Sequence, residues 1–220
     1  MSDLIVGGTS GLGLELARCL SLSGREVIVT GRRDPKTDFA TFVKLDLSIS
    51  DIAHTVDTLV AALPQIDTMI YAAGYFQEGT ITDLSYEQIE EMISVGGRGL
   101  IYVTKSLLAK QGALPELITI TSTSQWTPRK LEPIYNFVKA GAGQFSNSMA
   151  EDGRVAKVMV AGPAGMRTEF WEGIPRHDLD KMLDPLWVAE QIMTARKEDY
   201  KFKYIRILRE PARLEEVEKR

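Results

Sequence analysis

The sequence predicts an α/β fold with a doubly wound parallel sheet and helices on both faces, and three observations support that class. Strand-like apolar runs alternate with helix-like segments along the 220 residues. The glycine-rich stretch "VGGTSGLG", residues 6–13, directly follows the first apolar run. No linker, repeat or low-complexity tract interrupts the chain, so residues 1–220 are expected to form a single domain.

The elements of the amino-terminal half have local start and stop signals. Gly24 closes the first helix. Ser50 is a plausible N-cap for the second helix, and Pro64 stops it. Ser85 can cap a long third helix. The predicted elements are strand 4–6, helix 12–22, strands 26–30 and 42–45, helix 51–63, strand 68–71 and a helix from 85 to about 110.

The carboxy-terminal half continues the alternation. Pro133 lies near the first turn of one helix, and Asp184 with Pro185 begins the last. The predicted elements are strand 116–121, a helix from 133 to about 152, strand 155–161, helix 184–196 and a last strand at 204–208. Residues 209–220 are mostly charged and are expected to be a solvated tail.

Composition excludes several classes of function. The net charge of −4 and the pI of about 5.4 give no broad basic surface for nucleic acid. No apolar run approaches the roughly 20 residues that cross a bilayer, so no membrane association is expected. Cys19 is the single cysteine, which rules out an internal disulfide and favours a cytoplasmic location. His54 and His177 are distant from it in sequence, and no metal site is expected.

The glycine stretch has the form of a phosphate-binding turn. Gly7 permits a sharp turn, Gly11 lets backbone approach a pyrophosphate, and Gly13 lets helix and strand pack closely. Amide groups at the start of the helix then point at the anion. Thr9 and Ser10 add hydroxyl donors. A glycine turn without a ligand is the alternative interpretation.

The end of the second predicted strand indicates which dinucleotide is preferred. NAD binders place a carboxylate there for the adenosine ribose. This chain has Gly31, Arg32 and Arg33, and an arginine pairs well with a 2′-phosphate. The sequence therefore favours NADP over NAD. Asp34 is close enough to keep NAD open, and both arginines could instead be solvated loop charges.

Tyr135 and Lys139 are four residues apart and share one face of a predicted helix. A nearby ammonium favours the phenolate, so we expect Lys139 to lower the tyrosine pKa from about 10. Such a tyrosine can protonate a reduced carbonyl or deprotonate an alcohol. Ser122, thirteen residues before Tyr135, could hydrogen-bond the same substrate oxygen. The pattern Y-x-x-x-K alone is common; its order after the glycine turn and the serine gives it meaning.

As a set, these motifs resemble the short-chain dehydrogenase/reductase family from residue 4 to about residue 170. The resemblance implies a Rossmann-like, NAD(P)-binding domain, carbonyl–alcohol redox on a small molecule, and Ser122, Tyr135 and Lys139 as catalytic residues. It also implies homodimers or homotetramers formed through the fourth and fifth helices. The residue chemistry and the resemblance together assign the following residues to the cofactor: Gly7, Thr9, Ser10, Gly11, Leu12, Gly13, Arg32, Arg33, Asp46, Leu47, Ala73, Gly74, Tyr135, Lys139, Pro163, Met166 and Thr168.

The chain departs from the family pattern at four places. Tyr71 and Ala72 replace two asparagines, Ala164 replaces a glycine, and Ser10 replaces a basic residue of many NADP-preferring members. Gly96 stands where the family has an asparagine that distorts the long helix and helps to hold a water leading to the lysine. We expect Gly96 either to keep such a kink or to mark a close helix–helix contact.

Residues 169–186 form the expected substrate-loop region. Its apolar side chains could form a lid or could be core packing. Nearby basic residues could meet an anionic substrate or be solvated charges. The expected activity is NADP-dependent interconversion of a carbonyl and an alcohol; the alternatives are an NAD(P)-binding sensor without useful redox and an NAD-dependent alcohol dehydrogenase. The apolar candidates are Phe170, Trp171, Ile174, Met182 and Leu183, and the basic ones are Arg129, Lys130 and Arg176.

Overall fold

A computed structural model of the chain describes residues 1–173 and 177–220, and within them one sheet is covered by helices on both faces. In this part of the chain eight strands lie in the order β3-β2-β1-β4-β5-β6-β7-β8. Neighbours pair in parallel from β3 to β7, and β8 pairs antiparallel with β7. The strands are β1 Ser2–Val6, β2 Glu26–Gly31, β3 Thr41–Lys44, β4 Ile66–Tyr71, β5 Leu114–Ile120, β6 Val155–Pro163, β7 Phe202–Arg209 and β8 Ala212–Lys219.

The helices bury one apolar core on each face of the sheet. Leu16 of α1 and Ile192 of α6 belong to the first core, and Val56 of α2, Leu107 of α4 and Ala142 of α5 belong to the second. This arrangement confirms the predicted fold class. The helices are α1 Gly11–Leu22, α2 Ile52–Ala62, α3 Tyr86–Ile93, α4 Gly99–Gln111, α5 Pro133–Met149 and α6 Pro185–Arg196.

The predicted long helix is continuous but changes its winding in the middle. Ser85 caps α3 as expected, with a reciprocal pair of bonds to Gln88 of 3.3 and 2.9 Å. Between α3 and α4, the segment Ser94–Arg98 is a π-helix that contains Gly96. The expected distortion is therefore present at that glycine. At α2 the N-cap is Asp51 and not Ser50, because the Asp51 carboxylate accepts the amide of His54.

The end of the chain is not the solvated tail that we expected after a last strand. Ala212–Lys219 forms β8, which pairs along β7 from residue 203 to residue 209. The side chains of β8 are mostly exposed on both faces, so the charged residues of the segment are compatible with an edge strand. Lys203 of β7 is buried and is held by Glu198 at 2.6 Å and by Glu216 of β8 at 3.0 Å.

The topology fixes where a site can form. β2 and β3 lie on one side of β1, whereas β5, β6 and β7 lie on the other side of β4. The chain therefore leaves β1 and β4 toward opposite sides of the sheet. In doubly wound sheets the resulting crevice at the carboxyl ends of the strands is the usual ligand site. The segments that follow β1, β2, β4, β5 and β6 all meet at this edge.

Candidate active site

A cleft of about 1280 Å³ opens at the carboxyl edge of the sheet, and every site residue predicted from the sequence lies on its wall. The residues brought together are Gly7, Thr9, Ser10, Gly11, Leu12, Gly13, Arg32, Arg33, Asp46, Leu47, Ala73, Gly74, Ser122, Tyr135, Lys139, Pro163, Met166 and Thr168. They come from segments up to about 160 residues apart in the sequence. The roles assigned to them remain predictions.

The glycine turn after β1 has no room for side chains. A Cβ on Gly7, whose φ is +81°, would lie 2.5 Å from the amide nitrogen of Ala73. A Cβ on Gly13 would lie 2.1 Å from the Gly7 carbonyl oxygen. Ser10 is the N-cap of α1, and its hydroxyl makes no capping bond within the described residues. Gly11, Leu12 and Gly13 of the first turn of α1 line the cleft, so the uncapped amides of this turn are available to a phosphate.

The two walls of the cleft approach each other over this turn. A Cβ on Gly11 would lie 3.2 Å from the methyl carbon of Thr168, which follows β6. A pyrophosphate held by the turn would thus also be within reach of the Thr168 segment. The donor amides, the missing side chains and the facing hydroxyl together fit the predicted dinucleotide.

The part of the cleft beside the ends of β2 and β3 carries two predicted cofactor residues of opposite charge, Arg32 and Asp46. The Arg32 side chain is 67% exposed and lies 3.9 Å from a carboxylate oxygen of Glu91. Asp46 accepts the backbone amide and the hydroxyl of Ser48, at 2.9 and 2.7 Å. Burial acts to raise the pKa of Asp46, but these bonds and the charge of Arg32 outweigh it and lower the pKa. Asp46 is thus an ionised acceptor beside the loop that carries Arg32.

Ser122, Tyr135 and Lys139 lie together on the wall opposite the glycine turn. Ser122 follows β5 and caps the short 3₁₀ helix Thr123–Gln125, while Tyr135 and Lys139 are one turn apart on α5. Ser122 and Tyr135 both line the cleft. The Lys139 ammonium lies 5.5 Å from the centre of the tyrosine ring and donates to the Ile120 carbonyl at 3.1 Å. The predicted juxtaposition of phenol and amine is therefore found.

The expected effect of Lys139 on the tyrosine is wrong for this structure. Burial raises the pKa of Tyr135 well above its usual value, and the charge of Glu132 raises it further. The Ser122 hydroxyl and the charge of Arg129 oppose that rise in the pKa only in part. Burial also lowers the pKa of Lys139 to about 8. Tyr135 is consequently held as a neutral phenol at neutral pH, which suits a proton donor.

The π-helix packs tightly against α5 behind these residues. A Cβ on Gly96 would lie 2.3 Å from a methyl carbon of Val138, the residue before Lys139. The expected close helix–helix contact is therefore present together with the kink. The Tyr71 hydroxyl donates to the Val95 carbonyl, and the Ser94 hydroxyl donates to the Leu47 carbonyl at 2.6 Å. Tyr71, which replaces a family asparagine, thus still ties β4 to the distorted helix.

An aromatic cluster covers Tyr135. Phe76 packs edge-on against Tyr135 with ring centres 5.0 Å apart. Phe170 lies 6.3 Å from Tyr135 and 5.1 Å from Trp171, whose indole nitrogen donates to a backbone carbonyl. Phe76 was not predicted, although its position just after Ala73 and Gly74 was a usable signal.

The other substrate-loop predictions have mixed outcomes. Met182 and Leu183 are buried and belong to core packing, so they are not lid residues. Arg129 lines the cleft, where it is paired with Glu132 at 3.0 Å. Lys130 is exposed. Ile174 and Arg176 lie outside the described residues.

Two polar groups on the wall of the cleft were not predicted as groups, although Arg129 of the first was named for its charge. Ser124, Arg129 and Glu132 form a hydrogen-bonded cluster beside Ser122. Residues 208–210 and Arg213, at the turn between β7 and β8, line the outer rim. The second group was missed because the end of the chain was interpreted as a tail.

The apolar side chains of α4 and α5, the helices expected at a subunit interface, lie partly in the core and partly on the surface. Leu107 and Leu108 are buried in the core of the single chain, and Phe145 packs against that core. Ile101 of α4 and Phe137 of α5 are exposed.

No helix in residues 1–173 and 177–220 has the length and apolar character needed to cross a membrane. No group of three or more histidine, cysteine or carboxylate side chains among them could hold a metal ion.

Comparisons with known proteins agree with this geometry. A family model described as short chain dehydrogenase matches residues 3–178. An oxidoreductase of Staphylococcus epidermidis is 27% identical over 77% of this chain and 80% of its own length. The crystal structure of serine dehydrogenase from Escherichia coli is 25% identical, with a TM-score of 0.74 over 90% of this chain and 92% of that one. A short-chain dehydrogenase from Sphingobium yanoikuyae in complex with NADPH is 20% identical, with a TM-score of 0.78 over 92% and 86%.

Proposed function

Because the chain belongs to the short-chain dehydrogenase/reductase family of oxidoreductases, we propose that it is an NADP-dependent enzyme that interconverts a carbonyl and an alcohol. One observation carries the proposal. Ser122, Tyr135 and Lys139 share one cleft with a glycine turn whose helix amides face inward. A proton donor and a dinucleotide site therefore lie side by side.

The residues on the cleft wall would divide the cofactor among them. The turn from Gly7 to Gly13 would hold the pyrophosphate, Asp46 and Leu47 the adenine, and Arg32 and Arg33 the 2′-phosphate. Lys139 would hold the nicotinamide ribose. Bound NADPH would supply the hydride. The solved relative that contains NADPH supports this choice of cofactor.

The protein's own contribution to the chemistry is positioning and a proton. Ser122 hydrogen-bonds the carbonyl oxygen of the substrate and fixes its orientation. Tyr135, held neutral by burial, donates its phenolic proton to that oxygen as negative charge develops there. In the oxidative direction the same oxygen returns the proton to Tyr135.

The walls near Tyr135 favour an apolar substrate with an aromatic part. Phe76, Phe170 and Trp171 form one connected cluster over the tyrosine. Aromatic rings in such clusters gain about 0.5–1.5 kcal/mol per pair beyond the burial of area. A flat aromatic ketone or diketone would extend the cluster, so 9,10-phenanthrenequinone is a suitable probe.

Oxidation of NADPH by this probe tests the activity. We expect Tyr135→Phe to lower kcat by about 100-fold or more, since a positioned acid contributes 10²–10⁴-fold. NADPH affinity, followed by quenching of tryptophan fluorescence, should change little. Unaltered turnover in Tyr135→Phe would rule out the tyrosine as the acid. NADPH binding without turnover on a broad carbonyl panel would instead support a sensor.

The choice between NADP and NAD has its own test. We expect Arg32→Ala to weaken NADPH binding by about tenfold or more, because a hydrogen bond to a charged group contributes about 1.5–3 kcal/mol. NADH binding should not change. The control is Arg18→Ala, which also removes one positive charge. Arg18 lies on the outer surface of α1 and is paired with Glu15. Equal effects of Arg32→Ala on the two cofactors would contradict the assignment.

We also propose a homo-oligomer that uses the outer faces of α4 and α5. Phe137 is 65% exposed and Ile101 is 42% exposed on these helices. Light scattering should give a mass above 24.4 kDa, and Phe137→Glu should return the protein to monomer. A monomeric mass for the unaltered protein would exclude this assembly.

A further inference from the structure

A closed triangle of hydrogen bonds, formed by Ser124, Arg129 and Glu132, lies beside Ser122. Ser124 is buried, with 2% of its surface exposed, and its hydroxyl donates to a carboxylate oxygen of Glu132 at 2.7 Å. Arg129 Nη1 donates to the Ser124 oxygen at 2.6 Å and to the same Glu132 oxygen at 3.0 Å. Arg129 Nη2 donates to Thr123 at 2.8 Å, so the planar guanidinium is held on two sides.

The position of the Ser122 hydroxyl is set by two contacts with Ser124. The Ser122 oxygen accepts the backbone amide of Ser124 at 3.2 Å, and the Ser122 hydroxyl donates to the Ser124 oxygen at 3.3 Å. A serine hydroxyl has one proton and two acceptor positions. At Ser124 all three are in use, because Ser122 and Arg129 donate to it and Glu132 accepts from it. Ser122 is therefore located by Ser124, which the rest of the triangle holds.

The triangle also connects the two segments that carry Ser122 and Tyr135. Ser122 and Ser124 belong to the loop that follows β5. Glu132 is the N-cap residue of α5, one turn before Tyr135. All four residues line the cleft. The bond between Ser124 and Glu132 thus limits how far the serine and the tyrosine can move apart.

The bond from Ser122 to Ser124 is the one that a substrate can replace. It is the longest of the set, at 3.3 Å against 2.6 to 3.0 Å within the triangle, and is therefore the weakest. When Ser122 turns its proton to a carbonyl oxygen in the cleft, the buried Ser124 oxygen keeps Arg129 as its donor and Glu132 as its acceptor. No buried hydroxyl loses all of its partners, so the exchange costs little.

We propose that Ser124, Arg129 and Glu132 are positioning residues that hold Ser122 where it can hydrogen-bond the carbonyl oxygen of the substrate. This inference rests on the proposed function, because Ser122 has that task only in carbonyl–alcohol redox. Ser122 keeps its own proton throughout and exchanges one acceptor for another. No covalent bond forms or breaks at the triangle.

Loss of the triangle should lower kcat, because the groups that act on the carbonyl need a defined separation. We expect Glu132→Ala to lower kcat for 9,10-phenanthrenequinone by about 10- to 100-fold, since a misplacement of about 1 Å can cost about 100-fold. The affinity for NADPH should change little, because the glycine turn lies on the opposite wall of the cleft.

Glu132→Gln is the matched variant that separates hydrogen bonding from charge. Both substitutions remove the same negative charge, which acts on the pKa of Tyr135. The glutamine amide oxygen can still accept from Ser124 and Arg129. Glu132→Gln should therefore recover most of the kcat that is lost in Glu132→Ala. Glu190→Ala, which removes an exposed carboxylate of α6, is the control and should keep a normal kcat.

The decisive measurement repeats the substitution in the absence of the serine hydroxyl. Single-turnover reduction of 9,10-phenanthrenequinone, with protein in excess over quinone, is followed for the unaltered protein, Glu132→Ala, Ser122→Ala and the double variant. If Glu132 acts through Ser122, its loss should slow Ser122→Ala far less than it slows the unaltered protein. Arg129→Lys is a milder second variant, because lysine keeps the charge but lacks the planar fork that reaches Ser124 and Thr123 together. It should show the same dependence on Ser122.

The outcomes separate this inference from the proposed function. Equal slowing by Glu132→Ala with and without Ser122 would overturn it, because a general structural role does not need the serine. A rate in Glu132→Gln as low as that in Glu132→Ala would also overturn it, since charge alone would then explain the effect. Absence of turnover in the unaltered protein would overturn the proposed function, and this inference with it.

Discussion

The contact between the π-helix and α5 gives the sharpest prediction for stability. A Cβ on Gly96 would lie 2.3 Å from a Val138 methyl carbon, whereas carbon atoms prefer a separation of about 3.5–4.0 Å. Val138 is buried and β-branched, so rotation about χ1 on α5 offers little relief. The two segments would have to separate by more than 1 Å, a shift of the kind that costs about 1–3 kcal/mol.

We therefore expect Gly96→Ala to lower the free energy of unfolding by about 1–2 kcal/mol, although alanine is about 1 kcal/mol better than glycine in a helix. In a Val138→Ala background the clash disappears, and Gly96→Ala should be neutral or stabilising. The coupling energy between the two sites should be about 2 kcal/mol. Urea denaturation of the four proteins, followed by tryptophan fluorescence, measures it.

An equal cost of Gly96→Ala in both backgrounds would refute this reasoning. The same contact governs attempts to restore the family asparagine at this position. Gly96→Asn would place a still larger side chain against Val138, so its turnover would report packing unless Val138 is shortened as well.

Two charged sites yield further predictions. Glu116 is buried and accepts from Arg196 at 2.6 Å, so Glu116→Ala should cost about 3 kcal/mol by leaving that guanidinium unpaired, measured by urea denaturation. A loss of unfolding free energy below about 1 kcal/mol would contradict this, because it would mean that the Arg196 guanidinium becomes hydrated once Glu116 is removed. Bonds from Arg154 lower the pKa of Asp152 to about 2, below its unfolded value. Its contribution is thus present above about pH 4 and lost as the pH falls toward 2. Asp152→Asn should reduce the decrease in urea midpoint between pH 5 and pH 2.5, and an identical decrease in both proteins would contradict this.

The sequence was sufficient for the sheet and the glycine turn because both depend on local patterns. Buried parallel strands are continuous apolar runs, and the turn needs glycine at fixed places. The strand β8 was missed for the opposite reason. Its residues are exposed on both faces and mostly charged, so they carry no alternation of apolar and polar side chains that would indicate a strand.

The electrostatics of the site could not be predicted from spacing. The four-residue interval between Tyr135 and Lys139 gives their common face, but burial decides the direction of both pKa shifts. The cluster of Ser124, Arg129 and Glu132 depends on a loop that folds back beside the 3₁₀ helix. A sequence pattern does not contain that geometry.

The strand β8 also closes one side of the sheet to other chains. A free edge strand presents unpaired amide and carbonyl groups on which a foreign strand can add. Here the outermost strand carries Glu215, Glu216 and Glu218 along its exposed faces. A second copy arriving there would bring the same row of carboxylates, and like charges placed opposite each other repel. The charged residues of β8 thus disfavour the addition of a further strand at this edge, while Arg213 of the same strand lines the cleft.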